Sequence, residues 1–344
     1  MTSKKIRVLI AGIGGASLGT EILKSLLLNE EKYDIFGCDV SALAFGHYQY
    51  GFQKTFLVKH YNYIESIIEI CIDNHINCIV PGGEEPLTLL ASSVNLLFQK
   101  GIYLASNSPS IIEKFTDKKT TFEILDNLGF KVPLTLNFER PSDLDLMSYP
   151  CIVKPAKYSG GSTFVFLAEN KQDALLYSTF LKNNEKPVII QEYIPESEGE
   201  FTIGVLCLPD QRLVGSIALK RVFNSKLSVL MKGKAGLISS GYTQGLIDDF
   251  PEIRSTAEQI ATAIQSTGPI NIQGRIKEGV LVPFEINPRF SASTYLRSLA
   301  GFNEIDLYLQ YLILGEEPVK QSIRYGYHLR SLSETWVSKE EIKQ

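Results

Sequence analysis

The sequence predicts an α/β unit followed by a strand-rich α+β region, and three observations support this fold class. The first third of the chain alternates strand-like and helix-periodic segments, which is typical of a parallel sheet with crossover helices. Beyond about residue 110 the segments are shorter and mostly strand-like. The chain has 344 residues, which is too many for one small core. We therefore expect three packed parts, residues 1–108, 109–187 and 188–344.

The first part is predicted to begin with a buried strand rather than a signal peptide, because its apolar run is short and continues into glycines. The glycine-rich stretch 11–19 follows this strand, and Asp39 ends the next one. The predicted elements are, in order, strand 6–11, helix 17–28, strand 35–39, helix 63–74, strand 78–80, helix 84–99 and strand 103–105.

The second and third parts are predicted to form a meander of strands with few helices. Gly129 is placed to end a helix, since glycine adopts the left-handed conformation that is common there. A polar turn near residue 185 gives the boundary between these two parts. The predicted elements are helices 110–114, 118–128, 251–266 and 305–314, strands 151–154, 163–167, 188–193, 200–207 and 212–221, and a hairpin around 277–279.

Composition and charge exclude several classes of protein. Apolar residues make up 44% and charged residues 21%, as in ordinary globular chains. The net charge of −4 gives no basic field for nucleic acid, and no apolar segment reaches the ~18 residues that span a bilayer. The five cysteines stand singly, so we expect buried thiols in a reducing compartment. These features predict a cytoplasmic protein that acts on small molecules, without nucleic acid or membrane.

The most informative segment is a predicted hairpin that ends in PFEINPRFSAST, residues 283–294. A three-residue loop, Lys277-Glu278-Gly279, would place Ile276 opposite Val280. Because side chains alternate along strands, this register makes Gln273 and Glu285 diagonal neighbours on a polar face. The predicted core face carries Ile272, Gly274, Ile276, Val280, Val282, Phe284 and Ile286. The opposite face carries Asn271, Gln273, Arg275, Glu285, Asn287 and Arg289, with Leu281 and Pro283 among them.

The polar face of this hairpin is a candidate metal site. Oxygen atoms of Gln273, Glu285 and Asn287 converge there, and Mg²⁺ takes one or two carboxylates together with phosphates and water. Arg289 follows closely and suits a phosphate or carboxylate bound to the same ion. The alternative is an ordinary half-exposed sheet face, which the pattern alone leaves equally open.

Two lysines and a glycine-rich turn are candidates to bind phosphate groups beside such a metal. Lys154 ends an apolar strand, and Lys118 begins a helix that Asp117 can cap. Residues 158–163 form a turn rich in glycine and hydroxyl groups, whose backbone N–H groups can face phosphate oxygens. The alternatives are a solvated helix lysine and an ordinary glycine hairpin.

The segment QEYIPESEGEF, residues 191–201, is a candidate to bind a nucleoside. The backbone at the end of its strand can supply two hydrogen bonds to an adenine edge. Glu192 can accept from an exocyclic amine and Glu200 from ribose hydroxyls. The alternative is an exposed acidic loop over residues 196–200.

Taken in order, these motifs resemble the ATP-grasp superfamily, especially members related to the carbamoyl phosphate synthetase large chain. The ordered motifs are DKxxT, VKP with a Gly-Ser loop, QEYI, a glutamate before a strand, NIQ, EINPRFSAS and AGFN. The resemblance covers roughly residues 105–305, and the preceding region resembles the pre-ATP-grasp domain. It implies an N-terminal Rossmann-like pre-ATP-grasp domain followed by a two-part ATP-grasp domain, whose first part carries a lid subdomain.

The resemblance also implies an enzyme that uses ATP to activate a carboxylate as an acylphosphate, which an amine, expected to belong to an amino acid, converts to an amide. ADP and phosphate would be released. Arg289 would stabilise the transferring phosphoryl group. The implied nucleotide ligands are Lys118, Lys154, Ser159, Gly160, Gly161, Ser162, Glu192, Tyr193, Ile194 and Glu200. The implied ligands of two Mg²⁺ ions, for which Mn²⁺ can substitute, are Gln273, Glu285 and Asn287.

At the substrate end, Arg221 is expected to line the cleft and to clamp anionic groups together with Arg289. The alternative for Arg221 is a surface salt bridge. Gln273 departs from the Glu or Asp found in many relatives, although the synthetase relatives also have Gln there. The chain is shorter than a full synthetase large chain, so complete carbamoyl phosphate synthesis is not expected. A homodimer is one possible assembly.

Two other functions remain open at this stage. One is a non-catalytic or regulatory protein that binds ATP. The other is an NAD-dependent oxidoreductase, because the glycine-rich stretch 11–19 lies between a strand and a helix and Asp39 ends the next strand. Counted from Gly12, the dinucleotide motif requires its last glycine where this chain has Ser17, so this alternative is the weaker one.

Overall fold

A computed structural model describes residues 5–15, 18–157, 163–319 and 322–344. Its helices are, in chain order, α1 (Leu18–Leu27), α2 (Tyr63–Asp73), α3 (Glu84–Ala91), α4 (Val94–Gln99), α5 (Pro109–Thr116), α6 (Lys118–Asn127), α7 (Lys171–Asn183), α8 (Pro251–Ala263), α9 (Thr294–Leu299) and α10 (Glu304–Leu314). Within the described ranges, none of the helices is both long enough and apolar enough to cross a membrane.

The strands of the same residues are β1 (Ile6–Ala11), β2 (Tyr33–Asp39), β3 (Lys54–Leu57), β4 (Cys78–Pro81), β5 (Tyr103–Leu104), β6 (Thr135–Asn137), β7 (Cys151–Pro155), β8 (Phe166–Ala168), β9 (Val188–Glu192), β10 (Glu200–Cys207), β11 (Leu213–Arg221), β12 (Val229–Lys232), β13 (Leu237–Ser239), β14 (Gly245–Ile247), β15 (Pro269–Lys277), β16 (Val280–Asn287) and β17 (Gly326–His328).

The first part of the chain forms a five-stranded parallel sheet in the order β3-β2-β1-β4-β5. Alternate residues of β1 point to opposite faces, because side chains alternate along a strand. Val8 and Ile10 pack in one core with α1, whereas Leu9 and Ala11 pack in another with α2 and α4. The parallel sheet expected from the alternating pattern is therefore present, with helices on both faces.

The remaining strands form two larger sheets and a small ribbon. A four-stranded sheet has the order β6-β9-β7-β8 and carries α7, and a six-stranded antiparallel sheet has the order β16-β15-β10-β11-β14-β17. One core cluster packs α6 and α8 against the six-stranded sheet. The ribbon β12–β13 reaches the four-stranded sheet through Ile238, which packs against Leu167 and Tyr193.

Several predicted elements are confirmed, and others need correction. Strands 6–11 and 200–207 have the predicted bounds. The single helix predicted over 84–99 is two helices, α3 and α4, and the Ser92 hydroxyl donates to Leu89 O at the break. The helix α7 was not predicted. All five cysteines are buried and free, as expected.

The hairpin β15–β16 has a different turn from the predicted one. Lys277 pairs with Val280, so the turn contains only Glu278 and Gly279, with φ angles of 55° and 76°. A two-residue turn with both residues at positive φ matches the twist of the flanking strands. The carboxylate of Glu198 stabilises it by accepting from both backbone N–H groups at 3.1 Å.

This turn shifts the register by one residue, which exchanges the faces of the strand that follows. Leu281, rather than Val280, packs in the core beside Ile276, and Val280 is exposed. A β-bulge then intervenes: Gly274 pairs with Pro283 but Gln273 pairs with Glu285. Phe284 is the extra residue, and it faces a cleft instead of the predicted core.

Beyond the bulge the predicted polar face is restored. Gln273 and Glu285 are direct cross-strand partners, closer than the diagonal neighbours that were predicted. Asn271 is likewise paired with Asn287, and Ile272 with Ile286. The segregation of polar and apolar residues was therefore correct near the end of the hairpin and wrong near its turn.

Candidate functional site

A cleft between the four-stranded and six-stranded sheets, with β13 along one wall, encloses about 650 Å³ including its open mouth. We call it the main cleft. Apolar side chains such as Ile152, Val165 and Ile238 form much of its wall. The predicted site residues that line it are Lys118, Lys154, Glu192, Tyr193, Ile194 and Glu285.

Lys154 lies at the base of the main cleft and is almost fully buried. Its ammonium donates to Gln191 Oε1 at 2.7 Å and to Phe284 O at 3.2 Å. Burial, assisted by the charge of Lys118, lowers its pKa to about 7, while Glu285 acts in the opposite direction. Such a lysine has a strong preference for an anionic ligand, which would restore its charged form.

Lys118 is brought to the same cleft by the start of α6. Its backbone N–H donates to Ala156 O at 3.0 Å, which ties the helix to the end of β7. Asp117 caps the helix by accepting from Thr120 N at 3.0 Å and forms an ion pair with Lys157 at 3.0 Å. The predicted cap is confirmed. Ser159, Gly160, Gly161 and Ser162 of the predicted phosphate turn lie outside the described residues.

Residues 192–194 form the rim of the main cleft where β9 ends. The carboxylate of Glu192 pairs with Lys277 at 2.6 Å and accepts from Leu134 N at 3.2 Å. The Tyr193 ring is buried, with its hydroxyl accepting from Leu237 N at 2.9 Å. These contacts hold the rim in place. The remaining backbone groups can bond a base, whereas the Glu192 carboxylate already binds Lys277.

Glu200 is not where the ribose prediction requires it. Its side chain is fully buried and pairs with Arg275 at 2.8 Å and with Arg221 at 3.3 Å. Glu200 is not one of the described residues that line the main cleft. It lies behind the wall because β10 is a central strand and its first residue points into the sheet packing.

A second space adjoins the main cleft. We call it the polar pocket; its predicted members are Arg221, Gln273, Glu285, Asn287 and Arg289, and hydroxyl groups of Thr202, Ser240 and Ser291 line it as well. Gln273 donates from Nε2 to Glu285 Oε2 at 2.7 Å. Asn287 Oδ1 accepts from Arg289 Nη2 at 3.3 Å. Glu285 lines both the main cleft and the polar pocket.

The two predicted arginines differ in how firmly they are held. Arg221 is 5% exposed and donates from Nη2 to Ser240 O at 2.7 Å, with its Nε unpartnered within the described part of the chain. Arg289 is half-buried and donates to Phe290 O at 2.9 Å. Burial lowers the pKa of Arg289, while Glu84 and Glu285 act in the opposite direction. Arg221 is therefore a buried ion-pair residue, not the surface salt bridge of the alternative prediction.

Gln273 and Glu285 are in contact and Asn287 lies two residues farther along β16, on the same face, but Glu285 alone among the three is charged. Within the described ranges no group of three or more His, Cys, Asp or Glu side chains forms a metal-binding cluster. The set fits Mg²⁺ only where phosphate oxygens and water supply most of the ligands. Gln273 would then turn its amide, which now donates to Glu285, to present its oxygen.

Two residues of the site were not predicted. Gln191 accepts from Lys154 and donates to Thr135 Oγ1 at 2.9 Å, which orients the lysine. Arg275 lines the main cleft and donates to two backbone carbonyls and to the carboxylate of Glu200. Arg275 stood on the predicted polar face, so its position was a signal, but its partners come from segments far away in sequence.

A further cavity lies at the carboxyl ends of β1, β2 and β4, and we call it the sheet-end cavity. The carboxylate of Asp39 accepts from Ile13 N at 2.8 Å and from Ser41 N at 2.9 Å. A Cβ at Gly82 would lie 2.0 Å from Gly12 O, so the glycine is needed for close packing of two loops. The packing of the loops therefore accounts for Asp39 and Gly82 at these positions.

Comparison of sequences finds relatives that match part of this chain. Residues 184–335 match the family described as "ATP-grasp in the biosynthetic pathway with Ter operon". The mitochondrial ammonia-dependent carbamoyl-phosphate synthase of Rattus norvegicus is 25% identical over 261 residues. That match covers 73% of this chain and 16% of the rat enzyme, so the chain corresponds to a small portion of that relative.

Comparison of structures finds similar folds at low identity. The biotin carboxylase domain of the Hydrogenobacter thermophilus 2-oxoglutarate carboxylase, solved with MgADP and bicarbonate, has a TM-score of 0.67 at 16% identity, covering 94% of this chain and 74% of that one. The L-amino acid ligase of Bacillus licheniformis has a TM-score of 0.64 at 17% identity, covering 90% and 74%. Because these matches cover 90% or more of this chain, the similarities extend over the parallel sheet as well as the sheets beside the main cleft and the polar pocket.

Proposed function

We propose, from the premise that this chain belongs to the ATP-grasp superfamily, that it is an ATP-dependent ligase that joins a carboxylate to an amine. The main cleft would bind ATP, and the polar pocket would bind the carboxylate substrate. An amino acid is the substrate class that we favour, and the structural similarity to an amino acid ligase supports it. ADP and phosphate would be the other products.

The position of Glu285 carries this proposal. It lies where the main cleft and the polar pocket meet, with the cationic Lys154 near it on one side and Arg289 on the other. A phosphoryl group that leaves a nucleotide in one space would therefore pass this carboxylate on its way to an acceptor in the other. Charged groups preorganised along that path are what phosphoryl transfer requires.

The proposed reaction has two steps. A substrate carboxylate oxygen forms a bond to the γ-phosphorus while the bond to the bridging oxygen breaks, which releases ADP. In the second step the amine nitrogen forms a bond to the carbonyl carbon of the acylphosphate. Phosphate leaves with the oxygen that joined it to this carbon, and the nitrogen loses a proton. Lys118 and Lys154 would bind phosphate oxygens, and Arg289 would hold the oxygens of the transferring group.

Magnesium would neutralise charge between the phosphates when bound, and Gln273, Glu285 and Asn287 would hold it. We propose that two Mg²⁺ ions bind and that Mn²⁺ can replace them. We also propose that the parallel sheet is the Rossmann-like pre-ATP-grasp domain and that the parts divide near residues 108 and 187. We further propose that the protein forms a homodimer, and the dimer of the similar biotin carboxylase domain supports this.

A regulatory protein that binds ATP without turnover is the second candidate. The proposed metal set has one carboxylate and two amides, and its single charge, which favours weak metal binding, is the observation that supports this candidate. The oxidoreductase is less well supported, since Asp39 already accepts from two backbone N–H groups and a ribose would need that carboxylate free.

The proposal is tested by measuring ADP and phosphate release with MgATP and a panel of amino acids offered in pairs. We expect release that depends on both partners, together with a product whose mass equals their sum less water. Nucleotide binding without release on any pair would favour the regulatory candidate. Oxidation of a reduced nicotinamide cofactor would favour the oxidoreductase.

A further inference from the structure

Arg275 joins the rim and one wall of the main cleft to Glu200, which lies behind that wall. Its Nε donates to Glu200 Oε2 at 2.8 Å, its Nη1 to Ile194 O at 2.7 Å and its Nη2 to Leu237 O at 3.0 Å. The planar guanidinium suits this task, because its donors point in fixed and different directions. The rim at Ile194 and the wall at Leu237 are therefore held by a single side chain.

Packing around Arg275 keeps its charge away from water. The guanidinium carbon lies 5.0 Å from the centre of the Tyr193 ring and 5.9 Å from that of Phe284. The side chain is only 7% exposed. Its donors are directed at protein groups, so Arg275 shapes the cleft wall rather than serving as a free cation for a ligand.

Glu200 connects Arg275 to a second arginine. One carboxylate oxygen accepts from Arg275, and the other lies 3.3 Å from Arg221 Nη1. Arg221 in turn donates to Ser240 O at 2.7 Å. The two arginines thus hold both ends of the segment 237–240, at the carbonyls of Leu237 and Ser240.

The segment 237–240 is a wall shared by the two spaces. Leu237, Ile238 and Ser239 line the main cleft, whereas Ser240 lines the polar pocket together with Arg221. A displacement of this segment would change both spaces at once. Its anchoring by two arginines on one carboxylate gives a physical connection between them.

The Arg221 half of the network is incompletely bonded. Within the described residues, Arg221 Nε and Glu200 Oε1 are both buried and lack a hydrogen-bond partner. Buried groups in this state are rare and costly, and they commonly mark a functional rather than a purely structural arrangement. The donor Nε belongs to a residue that lines the polar pocket, where an anionic group could accept from it.

We propose that Arg275, Glu200 and Arg221 form a positioning network that couples the polar pocket to the main cleft. It rests on the proposed function, in which the main cleft binds ATP. A change at Arg221, outside the main cleft, is then expected to alter nucleotide affinity through Glu200 and the segment 237–240. Coupling free energies between sites commonly correspond to about 5- to 150-fold in affinity.

The test is a double-mutant cycle on nucleotide affinity. The dissociation constant of the non-hydrolysable analogue AMPPNP with Mg²⁺ is measured by calorimetry for wild type, Arg275→Lys, Arg221→Lys and the double variant. We expect Arg221→Lys to weaken binding about 5-fold or more. We also expect the double variant to lose clearly less than the product of the two single losses, because both act through Glu200.

Arg7→Lys serves as the matched control. Arg7 also donates to a carboxylate and to a backbone carbonyl, those of Asp34 and Asn74, but it lies in the parallel sheet and lines neither space among the described residues. We expect it to lower the melting temperature and leave AMPPNP affinity unchanged. Should Arg221→Lys fail to fold, Arg221→Gln replaces it in the cycle, with folding checked for each variant by circular dichroism.

The outcomes separate the network from the proposed function. Wild-type affinity in a folded Arg221 variant, or additive losses in the double variant, would overturn the network and leave nucleotide binding intact. An equal loss of affinity in Arg7→Lys would reduce the effect to general destabilisation and would also overturn it. Wild-type protein that does not bind AMPPNP would remove the proposed function and the network together.

Discussion

Lys154 shows how a single buried residue can make ligand binding depend on pH. Its ammonium has two neutral acceptors in contact, Gln191 and the Phe284 carbonyl. Neutral partners compensate burial less well than a carboxylate would, which is why burial lowers its pKa to about 7. Phosphate groups of a nucleotide would supply the missing negative charge.

We expect ADP affinity to fall as the pH rises above about 7. Unbound Lys154 loses its proton there, while bound phosphates raise its pKa, so binding must take up a proton. The limiting slope for one proton is about tenfold per pH unit. Calorimetry in two buffers of different ionisation enthalpy measures this uptake directly. Lys154→Met is the control and should abolish both the proton uptake and this part of the slope.

The same lowered pKa affects stability with a definite sign. The unfolded state binds a proton at Lys154 up to its ordinary pKa of 10.5, whereas the folded state releases it near 7. Between these values the unfolded state binds more protons. The contribution of Lys154 to the free energy of unfolding therefore rises with pH across that window.

Glu285 is the residue whose loss should separate turnover from folding. We expect Glu285→Gln to lower ATP-dependent phosphate release by about 100-fold or more, because it removes the only charge of the proposed metal set. Asn287→Ala should act in the same direction. Glu278→Gln is the matched control, since Glu278 lies in the same hairpin with a 78% exposed side chain. Turnover of Glu285→Gln near the wild-type rate would refute the metal assignment.

At the scale of elements, the hairpin β15–β16 places its functional residues by a turn and a bulge together. The two-residue turn shifts the register by one, and the bulge at Phe284 restores the polar face beyond it. Either feature alone would leave Gln273 and Glu285 on opposite faces. The Phe284 carbonyl accepts from Lys154, which connects the proposed metal ligands to the lysine that we propose binds phosphate.

Glu278→Asn should stabilise this hairpin. Glu278 has φ of 55°, a conformation in which asparagine is better tolerated than glutamate, and Asn-Gly is the preferred sequence of such turns. The expected gain in the free energy of unfolding is about 0.5 kcal/mol. It is measured by urea unfolding. Glu198 accepts from the backbone of the turn, so its contacts survive the change.

Gly279→Ala is the opposite substitution in the same turn. Gly279 has φ of 76°, and a Cβ there would meet nothing within 4 Å, so the effect isolates backbone strain from packing. We expect a loss of about 1 kcal/mol. An unchanged unfolding midpoint would contradict the turn described here.

At the scale of the whole molecule, α9 and α10 connect the six-stranded sheet to the first part of the chain. Arg297 in α9 pairs with Glu304 in α10 at 3.2 Å and donates to Thr202 in β10 at 3.1 Å. From α10, Asp306 accepts from the Tyr33 hydroxyl of β2 at 2.6 Å. The parallel sheet is thus bonded to the helices that follow the polar pocket.

Arg297→Met should destabilise the whole protein strongly. It would leave the carboxylate of Glu304 buried without its cation, which commonly costs about 3–5 kcal/mol. Denaturant unfolding measures the loss, and the double variant with Glu304→Leu should recover part of it. Arg254→Met is the control, since its ion pairs are more exposed and contribute less than about 1 kcal/mol.

Much of the fold follows from local patterns in the sequence. The parallel sheet, the strand Glu200–Cys207 and the Asp117 cap were predicted, because the spacing of apolar residues and the start of a helix depend on neighbours a few residues away. The helix α7 was missed although Asn170 caps it through Asp173 N at 3.0 Å, a signal visible in the sequence. That Lys154, Glu285 and Arg289 belong to one site was implied by the order of the motifs and their resemblance to a family, and it stays a prediction.

The sequence by itself determined the order of most elements, the residue types of the site and the alternation that puts Glu285 and Asn287 on one face of β16. Only the tertiary structure decided the register near the turn, the burial of Glu200 behind the wall and the role of Arg275. The physical reason is the distance along the chain over which each interaction acts. Periodicity and capping are interactions between near neighbours, whereas a bulge or a buried ion pair is the outcome of competition among segments far apart in the chain. For Arg275 those segments meet at Ile194, Glu200 and Leu237.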